Sequence, residues 1–232
     1  MIGREREYME KLTYVFSGFS PAEHFGKEVS QIFEKDLKGC ENIIFIPGGM
    51  GKNNKTDKYV NTDVEWFREI GINIKNIDIL DIGMSRKTVK EKINRADIIF
   101  LMGGNTIKQY EFVCQLKIQK EIKEFKGAVI GVSAGAINLG KISLCSKDLE
   151  DGVEKTQIYN GIGRVNYTFE PHFDKNNIDL LENELYPIST DLNIYGLTNN
   201  TGVKISEKEN CEIIKGDLYI ISNNELKLIN NI

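Results

Sequence analysis

Ala128-Val129-Ile130-Gly131-Val132-Ser133-Ala134-Gly135-Ala136 reads as an apolar strand that runs straight into a Gly-x-Ser-x-Gly turn and then into the start of a helix. A short apolar run without alternation is what a strand covered on both faces requires. The small residues beside Ser133 suit a sharp strand-to-helix turn, because the chain there leaves no room for side chains. Such a turn exposes the serine Oγ at the carboxyl edge of a sheet. It also aims the backbone N–H of Ala134 where a negative oxygen would develop.

The segments before this stretch repeat one rhythm. Leu12–Phe16 reads as a strand, and Ser20-Pro21-Ala22-Glu23 has the pattern of a capping box with proline at the first helical position, so a helix is predicted to start there. Phe25, Val29, Ile32, Phe33 and Leu37 recur at spacings of three and four and give that helix an apolar stripe, with His24 inside it in a packing or surface role. Asn42–Ile46 reads as a strand closed by Pro47-Gly48-Gly49, followed by a helix near Thr56–Ile70 and a strand near Ile74–Leu80. A helix near Ser85–Asn94 and a strand at Asp97–Met102 come next, then Gly103-Gly104-Asn105-Thr106 and helical pattern to about Phe125. This alternation predicts an α/β fold with a mostly parallel sheet flanked by helices. Both glycine turns, at Gly103-Gly104 and at Ser133, then lie at the carboxyl ends of strands, where open α/β sheets hold their ligands.

After Gly140 the rhythm changes. Ile178, Leu181 and Leu185 fit one more helix, whereas Asn193–Leu197, Gly202–Ile205, Cys211–Lys215 and Leu218–Ser222 read as short strands between turns. The C-terminal third is therefore expected to be strand-rich and partly antiparallel. Residues 1–11 form a charged extension, and residues 12–232 read as a single domain.

A serine nucleophile needs a base, and histidine is the usual one because it titrates near neutrality. Only His24 and His172 are present. His172 follows a strand-like stretch in Glu170-Pro171-His172-Phe173-Asp174 and precedes a helix, which puts it in a loop downstream of the serine turn.

Apolar residues make up 41% of the chain and charged residues 28%, a balance that buries a sizeable core and keeps a solvated surface. A net charge of −4, with the lysines spread along the chain, provides no footprint for a phosphate backbone, so nucleic acid is not the expected partner. Met1 to Lys11 lacks the apolar core of a secretory signal, and no run approaches the length that spans a membrane. Cys40, Cys114, Cys145 and Cys211 are scattered without a Cys-x-x-Cys pair, which suits reduced thiols and a cytoplasmic location.

Phe100-Leu101-Met102-Gly103-Gly104-Asn105-Thr106, Gly131-Val132-Ser133-Ala134-Gly135-Ala136 and Pro171-His172-Phe173 resemble the three signature blocks of the aspartyl dipeptidase (dipeptidase E) and cyanophycinase family of serine peptidases. The likeness runs from Leu12 to about Lys215. It implies a class I glutamine amidotransferase-like, flavodoxin-like fold, with Ser133 as nucleophile, His172 as general base, and Gly104 and Ala134 as oxyanion-hole donors. Gly103 and Asn105 are the expected substrate contacts. The resemblance implies a small peptide substrate, no metal and no organic cofactor, in a chain expected to be a monomer or homodimer.

Two departures qualify that expectation. In Gly196-Leu197-Thr198-Asn199-Asn200-Thr201, Asn199 stands where the family's acidic triad member aligns, which makes Asn199 the candidate third residue and Asp174 the alternative. In aspartyl dipeptidases an arginine after the histidine block holds the substrate's acidic side chain, but residues 174–186 contain none, so no aspartyl preference is expected. Alongside a peptidase, the pattern leaves open a hydrolase of esters or other amides, and a weakly active or non-catalytic binding relative.

Overall fold

The five runs that lead up to Ser133 form five parallel strands in the computed structural model, which describes residues 11–148 and 152–229. They are β1 (Leu12–Phe16), β2 (Asn42–Gly48), β3 (Asn76–Ile79), β4 (Ile98–Gly104) and β5 (Ala128–Val132). Between them run α1 (Gly26–Asp36), α2 (Asn54–Glu69), α3 (Arg86–Arg95), α4 (Thr106–Leu116) and α5 (Gln119–Glu124), and α6 (Ala134–Leu139) follows β5. The later strands are β6 (Ile142–Cys145), β7 (Gln157–Asn160), β8 (Thr168–Pro171), β9 (Ile194–Leu197), β10 (Gly202–Ile205), β11 (Cys211–Lys215), β12 (Leu218–Ser222) and β13 (Glu225–Ile229). The charged extension expected over residues 1–11 lies, Lys11 apart, outside the described residues.

The main sheet has the order β11-β10-β1-β5-β4-β2-β3, with β10 antiparallel to both its neighbours, β1 and β11. Alternate side chains of each strand feed opposite faces, as the pleat requires. Tyr14, Phe16, Phe45 and Phe100 pack under Val29, Phe33, Val60 and Phe67 of α1 and α2. Val15, Ile44, Ile99 and Leu101 pack under Val89, Ile93, Phe112 and Val113 of α3 and α4. Thus α2 and α4 leave the neighbouring strands β2 and β4 toward opposite faces, which opens a crevice between their carboxyl ends. Asn53 and Asn105 fix where these two helices begin. Asn53 Oδ1 accepts from the N–H groups of Lys55 and Thr56, and Asn105 Oδ1 accepts from that of Lys108.

The strand-rich C-terminal third folds mainly into a second sheet, β13-β12-β9-β8, in which only β8 and β9 are parallel. Its joint with the main sheet is held by Arg164, in the loop before β8. This buried side chain donates from Nε to Thr13 Oγ1 at 3.0 Å, and from its two Nη atoms to the carbonyls of Leu12, Ile122, Lys123, Phe125 and Gly127 at 2.5–3.3 Å. No carboxylate among the described residues forms an ion pair with it. Its positive charge is spread over carbonyls at the end of α5 and the entries of β1 and β5, where helix-end oxygens are partly negative. Burial lowers its pKa to about 10, so it stays charged at neutral pH.

Two details depart from the sequence reading. The first helix starts at Gly26 rather than Ser20, because His24 (φ 54°) and Gly26 (φ 73°) take left-handed backbone and residues 20–26 form turns instead. That bend lets Phe19 and Phe25 pack on Trp66, and His24, outside the helix, stacks on the same indole with its Nδ1 2.7 Å from Glu69 Oε2. The helical pattern to Phe125 is two helices, broken where Lys117 turns left-handed. No helix among the described residues is long and apolar enough to cross a membrane.

Candidate active site

Ser133 sits between the last residue of β5 and the first of α6 with φ 49° and ψ −108°. A non-glycine residue in such a region stores about 1–3 kcal/mol of strain. Close packing holds it there. A Cβ on Gly135 would lie 2.3 Å from the Leu101 carbonyl oxygen, and one on Gly131 would lie 2.8 Å from Gly135 backbone. Ser133 N–H donates to Phe16 O at 2.9 Å. Gly135→Ala should therefore shift α6 away from β4, at a cost of about 1–3 kcal/mol read as a lowered urea midpoint. An unchanged midpoint would show that the turn has slack.

His172 also takes left-handed backbone, with φ 57°, directly after β8. Its N–H donates to Ser17 Oγ at 2.8 Å, while Ser17 N–H donates to Thr201 O at 2.9 Å. The exposed imidazole then places Nε2 3.1 Å from Ser133 Oγ and Nδ1 2.9 Å from Asn199 Oδ1. An amide oxygen only accepts, so Nδ1 carries the proton and Nε2 presents its lone pair to the serine hydroxyl. Asn199 is carried in a turn closed by Thr201 N–H to Thr198 O, and that turn is tied to Asp217 O by Thr198 N–H and Thr201 Oγ1.

Asp174 lies elsewhere. Its Oδ1 accepts from both the backbone and the side-chain amide of Asn176, at 2.9 and 3.1 Å. Gly103 packs behind the serine, with its absent Cβ 3.6 Å from Ser133 Cβ. Gly104, at φ 139°, meets Gly48 so closely that a Cβ would lie 2.6 Å from Gly48 O. Ala134 is the first residue of α6, so its N–H has no partner within the helix. Asn105 spends its side-chain oxygen on capping α4 and keeps its amide NH2 at the rim of the crevice.

Two cavities flank this centre. One, of about 500 Å³, contains Ser133 and His172 together with Ser146, Glu170, Asp179 and Glu184. Glu170 is buried and accepts from Ser146 Oγ at 2.6 Å; burial, reinforced by the Asp148 charge and opposed by that hydrogen bond, pushes its carboxyl up to about 7. The second, of about 620 Å³, lies on the other side of Gly104 in the β2–β4 crevice, under Tyr59, Asp63 and Trp66 of α2. Burial pushes the Asp63 carboxyl up to about 7.

Sequence reasoning gave no role to Glu170 or Asp63. Glu170 gives only the signal of an acid at the end of the strand that leads to His172. Asp63 gives no comparable signal.

The architecture is shared with solved structures of peptidases. A peptidase from an acI-B1 Actinobacterium superposes with a TM-score of 0.65 at 15% identity, over 97% of this chain and 96% of that one. A protein of Listeria monocytogenes EGD-e provisionally named peptidase E gives 0.64 at 22% identity, over 89% of this chain and 98% of that one. No curated protein sequence matches the chain. The fold is thus the α/β architecture of these structures. The chain belongs to peptidase family S51, the dipeptidase E family, whose pattern matches residues 15–213.

Proposed function

We propose that the chain is a serine-type exopeptidase of small peptides. Ser133 Oγ attacks the scissile carbonyl while His172 Nε2 takes its proton, and the backbone N–H groups of Gly104 and Ala134 receive the developing oxyanion. The imidazolium then returns the proton to the leaving amine, and water, activated by the same Nε2, releases the acyl group. Asn199 holds the ring in the tautomer that leaves Nε2 free. The observation that carries this reading is the 3.1 Å approach of Nε2 to the hydroxyl of a serine held in strained backbone. A fluorophosphonate probe tests it. Labelling should map to the peptide containing Ser133, and labelling confined to another residue would reject the assignment.

A slow enzyme is the expected form of this activity, because an amide at position 199 orients the ring without stabilising the imidazolium. An amide in place of the carboxylate costs a serine triad about 10⁴ in kcat where it also selects the wrong tautomer, so with the tautomer kept the loss here is smaller. Asn199→Asp should accordingly raise kcat by at least about tenfold, whereas Asp174→Asn should leave it within about twofold. The reverse pattern would move the third role to Asp174. With Glu170, Asp179 and Glu184 beside the serine and no arginine in residues 174–186, an N-terminal aspartate gains nothing here.

A further inference from the structure

The second cavity has the composition of a side-chain pocket. Its walls are Phe19, Tyr59, Trp66, Phe100 and Met102, and it opens onto Gly103 and Gly104, beside the serine turn. Asp63 is the acid in this wall, on the face of α2 that carries Tyr59 and Trp66 at i−4 and i+3. It has no hydrogen-bond or ion-pair partner among the described residues. Lys55 and Lys58 also line the cavity, but both are exposed, and Lys55 Nζ lies over the Tyr59 ring at 6.0 Å. A partly buried carboxylate beside apolar and aromatic walls, with no counter-charge in contact, is destabilised in its ionised form unless a cation joins it. Burial accordingly pushes the Asp63 carboxyl up to about 7.

We propose that this cavity is a specificity pocket for a substrate side chain with an apolar stem and a positively charged end, a lysyl or arginyl residue, with Asp63 as the anchor for its charge. The aliphatic stem lies on Trp66, Tyr59 and Met102, and the cation meets Asp63 and the aromatic faces, which attract it as well. The other cavity agrees with a cationic peptide, since its charged lining is mainly acidic. This inference rests on the serine-peptidase reading for its orientation toward the scissile bond, but the pocket's preference can be measured without turnover.

Trp66 is the chain's single tryptophan, so its fluorescence reports occupancy of this cavity directly. The experiment titrates the Ser133→Ala full chain with Lys-Ala, norleucyl-Ala, Ala-Lys and Ala-norleucine, and with the α-N-acetyl and Nε-acetyl forms of the lysyl peptides. In at least one position lysine should bind at least about tenfold more tightly than norleucine. Nε-acetylation should abolish that advantage and α-N-acetylation should keep it. Adding Asp63→Asn should remove the advantage while changing the norleucine affinity less than about twofold. Equal affinities for lysine and norleucine, a ratio that survives Asp63→Asn, or an advantage that depends on the terminal amine would each overturn the proposal. The Nε-acetyl comparison needs no substitution at position 63, so it decides the matter even if Asp63→Asn fails to fold. Hydrolysis retained by Ser133→Ala would instead reject the serine reading and leave the binding ratio standing.

Discussion

Ser133→Ala should lower kcat/KM for a small peptide by about 10⁴-fold or more and leave KM within about threefold. Removing the nucleophile of a serine peptidase costs nearly as much as removing all the groups that act with it, about 10⁶ in kcat, because they function as one unit. The loss here is expected to be smaller, since Asn199 leaves less to lose. The oxygen removed is the one 3.1 Å from His172 Nε2, and nothing else changes, because alanine meets the same strained backbone as serine. Folding should therefore be unaffected. Steady-state kinetics with a dipeptide panel measures the effect, and a decrease smaller than tenfold with intact far-UV circular dichroism would contradict the proposed nucleophile.

Arg164→Met should be the most damaging single change to stability. Methionine fills a similar length but donates nothing, so five carbonyls and the Thr13 hydroxyl lose a charged donor in a buried place. An unsatisfied buried polar group costs about 1–3 kcal/mol, and some of these oxygens keep other partners. A net loss of about 4 kcal/mol is expected, which for a domain of this size lowers Tm by roughly 8–16 °C. Arg164→Lys should recover only part of it, because an ammonium has three donors and no planar fork. Urea and thermal melts read the result, and a midpoint within experimental error of the unsubstituted chain would show that the joint does not depend on this side chain.

The parallel half of the fold was legible because its strands, apart from the half-exposed β3, are apolar runs ended by glycine or by the start of a helix, a pattern local in sequence. The serine turn was legible for the same reason. Ser20-Pro21-Ala22-Glu23 misled, since a capping signal of about 1 kcal/mol yields to burying Phe19 and Phe25 against Trp66. The β6–β7 hairpin and β13 were not read. The strand at Gln157–Asn160 is almost wholly exposed and Glu225–Ile229 lies at a sheet edge, so neither carries the apolar pattern of a core strand. Asn199 could be singled out only through the family resemblance. Asp63, Glu170 and Arg164 needed the tertiary structure, because their meaning lies in what surrounds them and not in their spacing.

The end of β1 gives the site an unusual kind of tolerance. Phe16 O holds Ser133, Ser17 Oγ holds His172, and Ser17 N–H holds the turn that carries Asn199. Each of the three segments has its own anchor on one dipeptide, in addition to the side-chain bonds that join them. Mutational drift at one of them can therefore alter the chemistry without dismantling the alignment. On the proposed mechanism, exchange of a carboxylate for an amide at position 199 would leave the histidine in register with its serine, so one side-chain replacement would separate a slowed enzyme from renewed selection.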